Sequence, residues 1–148
     1  MDYVDIVGDI RDLSQFQDES VEVVYASHVL EHVCQKEMKT TLHGIHRILK
    51  KDGLFYCSVP NMEILAKLLI SERLNPQQKW HVMRMIFGGQ TDKNDFHYFG
   101  WTLDFAKAFF GGAGFRNIKV VKSFNIFDDT SDYKPYGVQI SLNLIAKK

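Results

Sequence analysis

Cysteine is scarce in this chain. Cys34 and Cys57 stand alone with no short-range pairing pattern, which argues against a disulfide framework and fits reduced thiols in a cytoplasmic protein. An excess of either charge is missing too: Lys+Arg and Asp+Glu number 18 each in 148 residues. No net field therefore draws the chain to nucleic acid or to an anionic membrane, and neither is an expected partner. Long apolar runs are absent, with no window near the ~18–20 residues of a membrane span. The opening Met1-Asp2-Tyr3-Val4-Asp5 is acidic and short of apolar residues, unlike a secretory signal. The three prolines are scattered, and no repeat, low-complexity tract or linker divides the sequence.

What is present is an ordinary globular composition, 45% hydrophobic and 24% charged, enough for one domain over residues 1–148. Tyr3 to Ile10 alternates loosely and predicts a short strand. Val21-Glu22-Val23-Val24-Tyr25-Ala26 is a β-branched run suited to a buried parallel strand. Met38, Leu42, Ile45 and Leu49 then recur at helical spacing, with Lys50-Lys51-Asp52-Gly53 as the expected stop. Leu54 to Val59 predicts the next strand, closed by Pro60-Asn61. Asn61 and Asn75-Pro76 each open a helix, the first carrying Leu65 and Leu68, the second Trp80 and Met83. Residues 90–100 are irregular, polar and aromatic. Thr102 caps a further helix that stops in Gly111-Gly112. Asn117–Phe124 and Val138–Ala146 are the last strands.

Strands alternating with helices imply crossover connections and a mostly parallel sheet. The last two strands, joined without a helix, are expected to be antiparallel. The expectation is a three-layered α/β fold with an antiparallel strand near one edge.

Three stretches carry a resemblance: Val7-Gly8-Asp9-Ile10; Asp18 to His32, ending in Ser27-His28-Val29-Leu30-Glu31-His32; and His46-Arg47-Ile48-Leu49-Lys50-Lys51-Asp52-Gly53-Leu54 with Ser58-Val59-Pro60-Asn61. Together they resemble the middle and later motifs of the class I S-adenosylmethionine-dependent methyltransferases. Lys51-Asp52 depart from that family's usual Pro-Gly. Gly88-Gly89-Gln90, Asp95-Phe96-His97, Gly114-Phe115 and Ile140 to Leu144 are similar to a subgroup of predicted methyltransferases of polysaccharide and cell-surface sugar biosynthesis.

The resemblance implies a Rossmann-like sheet, S-adenosylmethionine as cofactor, and a small-molecule or saccharide acceptor. It also implies a role at the adenine for Asp9 and Ile10, where a carboxylate accepts from the exocyclic amine; the alternative for Asp9 is a turn at a strand end. Ser27 and His28 fall past the end of a strand, where cofactor and acceptor meet, and Ser27 can also act as a helix cap. His97 is the candidate base for the acceptor's proton, with Asp95 orienting it or binding an acceptor hydroxyl. A polar loop holding a satisfied histidine is the bland alternative. Glu31 and His32 read as packing and dipole compensation. The ubiquinone-pathway O-methyltransferases use this segment for a divalent metal, but His28 stands here in place of their first carboxylate, so no metal is assigned.

The family's first strand, glycine-rich loop and ribose-binding acid find no counterpart before Tyr3. The run Gly111-Gly112-Ala113-Gly114 comes far too late and reads as a helix stop. Without those N-terminal strands, Val21–Ala26 is expected to expose a sheet edge, filled by the 3–10 segment or by a homodimer pairing across the gap. A methyltransferase-like binding or assembly module without catalysis is therefore the alternative reading. A remote one is a zinc peptidase, because His28 to His32 also spells H-x-x-E-H; that chemistry needs the whole pentapeptide inside a helix.

Overall fold

The β-branched run forms β1, Val21–Ser27, and the longer apolar segment forms β2, Leu49–Pro60. They pair in parallel, as a helical crossover between them requires. The computed structural model describes residues 4–148. The crossover is α1, Gln35–Ile48, which buries Met38, Leu42 and Ile45 completely. It ends earlier than its charge pattern suggests. Leu49 is already extended and fully buried, and it pairs with Val21. Lys50–Gly53 then form an irregular excursion, since the register jumps from Val21–Leu49 to Val23–Leu54. Gly53 serves that excursion rather than the helix end: a Cβ there would lie 2.9 Å from the Lys50 carbonyl and 3.0 Å from that of Glu22.

Three further helices start where their caps predict. The Asn61 side chain accepts from the backbone of Glu63 and Ile64 to open α2, Met62–Leu69. Asn75 and Gln78 form a reciprocal capping box on α3, Pro76–Phe87. The Thr102 hydroxyl accepts from Phe105 N at the start of α4, Leu103–Gly112. Strands β3, Arg116–Val121, and β4, Ser141–Lys147, complete the sheet in the order β1-β2-β4-β3. β4 is antiparallel to both neighbours, so three strands run one way and β4 the other. This is the expected α/β, Rossmann-like sheet.

Phe55, Cys57 and Val59 of β2 join Leu142, Leu144 and Ala146 of β4 in the main core, with α1, α4, Trp101 and Phe115. The expected third layer of helices is not found among the described residues. Leu65, Leu68 and Val82 of α2 and α3 close on one another and on Ile140 instead, beyond the carboxyl end of β2. The other sheet face is covered by irregular chain: Phe124 and Phe127 pack edge-on to Tyr25, whose hydroxyl donates to Asp129 at 2.8 Å. Helical periodicity shows that a helix has an apolar face, not what that face meets.

The strand expected over Tyr3–Ile10 does not form in its described part; Tyr3 lies outside the described residues. Val4 and Ile6 are each 53% exposed and Val7 90%, and the segment ends in a tight turn bridging Asp9 and Asp12. Ile6 and Ile10 line an apolar groove of about 330 Å³ with Val21, Val23 and Val24, but no hydrogen-bonded ladder joins them to β1. Apolar alternation supplied the side chains for a strand without a partner to bond its backbone.

His46 of α1 packs edge-on against Phe115 at 5.2 Å. Burial lowers its imidazole pKa, with the Lys148 charge adding to the effect. The unfolded chain therefore binds a proton near pH 6.5 that the native state refuses. Stability is expected to fall as pH drops from about 7 to about 5.5. The urea midpoint should decline less over that range in His46→Gln than in the parent; equal declines would remove His46 as the cause.

Candidate functional site

The carboxyl end of β1 opens into a cavity of about 510 Å³, within the size range of small-molecule sites. The turn at Gly8–Arg11 forms one wall, His28, Val29 and His32 another, and Lys93, Asn94 and Tyr98 the rim. In open α/β sheets ligands bind beyond the carboxyl ends of the strands, and this cavity occupies that position.

Asp9 and Ile10 both face this cavity. Arg11 wraps the Asp9 carboxylate, donating from its backbone N–H and from its guanidinium. These hydrogen bonds hold the Asp9 carboxyl at a pKa of about 2, so it enters the cavity wall as a fixed anion. Arg11 itself had no reading in the sequence; its proximity to Asp9 two residues earlier was the available signal.

Ser27 ends β1 with its hydroxyl buried and unpartnered. It caps no helix, because the short 3₁₀ turn Leu30–His32 begins after Val29 without a side-chain cap. His28 takes a left-handed backbone, φ 54°, a conformation that non-glycine residues hold only when the surroundings enforce it. Its backbone N–H donates to Ser58 O at 2.8 Å, and its Nε2 lies 2.9 Å from Ser141 Oγ. That kink rules out the helical H-x-x-E-H of a zinc peptidase.

His97 and Asp95 are separated by the fold. The Asp95 carboxylate accepts from Thr91 Oγ1 at 2.8 Å and from the backbone N–H groups of Gly89 and Thr91, which lower its pKa. It organises the 89–95 turn and does not orient His97, whose Nδ1 instead meets Met85 O at 3.0 Å. Burial holds the His97 imidazole below its ordinary value against the pull of Glu31, so the ring is neutral near pH 7. His97 packs edge-on against His32, with ring centroids 4.8 Å apart. His32, read from sequence as a packing residue, is the one that lines the cavity. Glu31 lies behind it, completely buried.

Residues 2–57 match a family model described as methyltransferase domain. A search of curated proteins finds no match. Among solved structures, a SAM-dependent methyltransferase from Archaeoglobus fulgidus is similar at TM-score 0.59 and 17% identity, over 97% of this chain and 66% of its own. A SAM-dependent methyltransferase from Thermotoga maritima is similar at TM-score 0.60 and 17% identity, over 95% of this chain and 62% of that one. Human N-acetylserotonin methyltransferase, in complex with SAM, is similar at TM-score 0.54 and 16% identity, over 95% and 32%. The chain thus spans from about a third to about two thirds of these structures' lengths. At such identities the likeness establishes the fold, which is that of the SAM-dependent methyltransferases.

Proposed function

We propose that this chain forms part of an S-adenosylmethionine-dependent methyltransferase acting on a small-molecule or saccharide hydroxyl. The observation that carries the reading is one cavity at the carboxyl end of β1 that joins the Asp9–Ile10 turn to the histidines of the other wall, in a sheet of methyltransferase type. The residues present fit two sides of the cofactor. Asp9, its carboxylate gripped by Arg11, is the candidate partner of the adenine amine, and His28 lines the same cavity, whereas Ser27 does not. The glycine loop and ribose acid used elsewhere in this fold are not among the 148 residues. Bound here, the cofactor supplies an electrophilic methyl group on a sulfonium.

The chain's own residues hold the acceptor and manage its proton. Lys93 and Asn94 give the rim hydrogen-bonding groups suited to hydroxyls. His32 faces the cavity with His97 and Glu31 behind it, so this cluster takes the role first assigned to His97 with Asp95: it accepts the proton released as the acceptor oxygen is methylated.

Calorimetric titration of the 148-residue chain with S-adenosylhomocysteine tests the reading. Dissociation constants on the order of micromolar are expected, weakened by Asp9→Ala. Absence of binding at millimolar ligand would reject a cofactor site in this chain and favour the non-catalytic module.

A further inference from the structure

Glu31 is completely buried and neither carboxylate oxygen has a hydrogen-bond partner. The His28 Nδ1 stands 3.2 Å from Oε1 but outside hydrogen-bonding geometry. No lysine or arginine pairs with Glu31 among the described residues. A carboxylate taken out of water in this way is strongly unfavourable unless positive charge compensates it.

The surrounding groups are electron-pair donors. One ligand atom each from Glu31, His32 and His97 lies within 4.8 Å of the others. His32 turns its Nδ1 onto Phe96 O at 3.1 Å, and His97 turns its own onto Met85 O at 3.0 Å. A carbonyl only accepts, so Nδ1 carries the proton in each ring and Nε2 keeps its lone pair. Backbone carbonyls in this role orient imidazoles for metal ligation. The arrangement is also strapped: the Glu31 carbonyl accepts from Tyr98 N at 2.7 Å and from Phe99 N at 3.2 Å, which holds the segment bearing His97 across Glu31. His28 is not a member of that group. The hydroxyl hydrogen of Ser141 goes to Thr130 O, so Ser141 Oγ accepts from His28 Nε2 and keeps that ring turned toward β4.

We infer that Glu31, His32 and His97 bind one divalent first-row cation of the zinc, cobalt or iron(II) class. Two imidazoles and a carboxylate suit these borderline ions and not magnesium or calcium, which take oxygen ligands. Ligation at about 2 Å requires the donors to close up from their 4.8 Å spread. Three protein ligands leave a position open. Because His32 lines the cavity, that position faces it and takes a water or an oxygen of the acceptor. The acceptor ligand rests on the function proposed above; the cation site does not. With the ion in place, Glu31, His32 and His97 would serve as its ligands and not as bases; the metal would acidify the bound hydroxyl, and its proton would pass to water in the open cavity.

The test is cobalt(II) titration of the chelator-treated 148-residue chain, read by visible d–d absorption. The expected result is a band saturating at about one equivalent, abolished by zinc and unaffected by magnesium. His32→Ala and His97→Ala should each weaken binding by roughly tenfold or more, with unchanged far-ultraviolet circular dichroism. A folded parent chain that gives no band overturns the inference. Stoichiometric binding untouched by both substitutions also overturns it, by placing the ion elsewhere. If either alanine variant fails to fold, His32→Gln or His97→Gln, which keeps the volume and removes the imidazole ligand, takes its place in the titration. Parallel titration with S-adenosylhomocysteine separates the two readings: cobalt binding without it upholds the cation site against the proposed function, and the reverse pattern does the opposite.

Discussion

Replacing Trp101 by alanine is expected to lower stability by about 3–5 kcal/mol. The indole is 1% exposed and packs against Phe99, Phe109 and Phe110, with ring centroids 4.5 to 6.0 Å apart. Its backbone carbonyl accepts from Met62 N at 2.8 Å, so the residue also ties the start of α2 to the segment carrying His97. Alanine would leave a cavity in the main core that the aromatic neighbours cannot all collapse to fill. Since total stabilities run at about 5–15 kcal/mol, urea denaturation should show a variant near the edge of folding. The indole N–H has no partner, so Trp101→Phe removes volume without orphaning a hydrogen bond and should recover most of the loss. A loss below about 1 kcal/mol for the alanine variant would mean that Trp101 does not hold these elements together.

Gly88→Ala is expected to open the 88–97 segment and to dismantle the histidine cluster. Gly88 has φ 85° and ψ 165°, a region essentially closed to residues with a Cβ, at a cost on the order of 1–3 kcal/mol. The position is also crowded, since an added Cβ would lie 2.2 Å from the Asp95 carbonyl oxygen and 3.1 Å from His97 N. The methyl group therefore displaces the backbone that carries His97 and strains the bond from His97 N to Phe87 O. Cobalt affinity should fall by roughly tenfold or more, while the sheet keeps its circular dichroism. Gly112→Ala is the matched control. Its added Cβ meets nothing within 4 Å, and it lies in the last turn of α4, where alanine is favoured over glycine by about 0.5–1 kcal/mol. Equal effects of the two substitutions would contradict the steric account.

Local chemistry made much of the fold legible. The stripe of Met38, Leu42 and Ile45 marks a helix because one face of it must be buried, and all three are. Asn61, Asn75 and Thr102 mark helix starts because an oxygen at the cap meets backbone N–H groups two or three residues on. The antiparallel pairing of β3 and β4 follows from a connection too irregular to supply a crossover helix. Each of these signals spans only a few residues and is set before any distant part of the chain arrives.

The same local logic misread places where a distant partner decides. Lys50-Lys51-Asp52-Gly53 carries the composition of a helix stop, yet pairing of Leu49 with Val21 ends α1 first. The Tyr3–Ile10 segment has a strand's alternation, but its described residues have no ladder to join. Asp95 and His97 are two apart in sequence, and their hydrogen bonds lead to different parts of the chain.

The sequence by itself thus determined that this is an α/β chain with its candidate chemistry past the end of Val21–Ser27, because burial periodicity and capping are local. The tertiary structure alone decided that His32 faces the cavity, that Arg11 occupies Asp9, and that a buried Glu31 meets a histidine from a distant segment. Residues 31 and 97 share no periodicity and no motif. The backbone bonds from Tyr98 and Phe99 to the Glu31 carbonyl and the bond between His32 and Phe96 O bring them together, and a pairing made across the fold leaves no trace in either stretch of sequence.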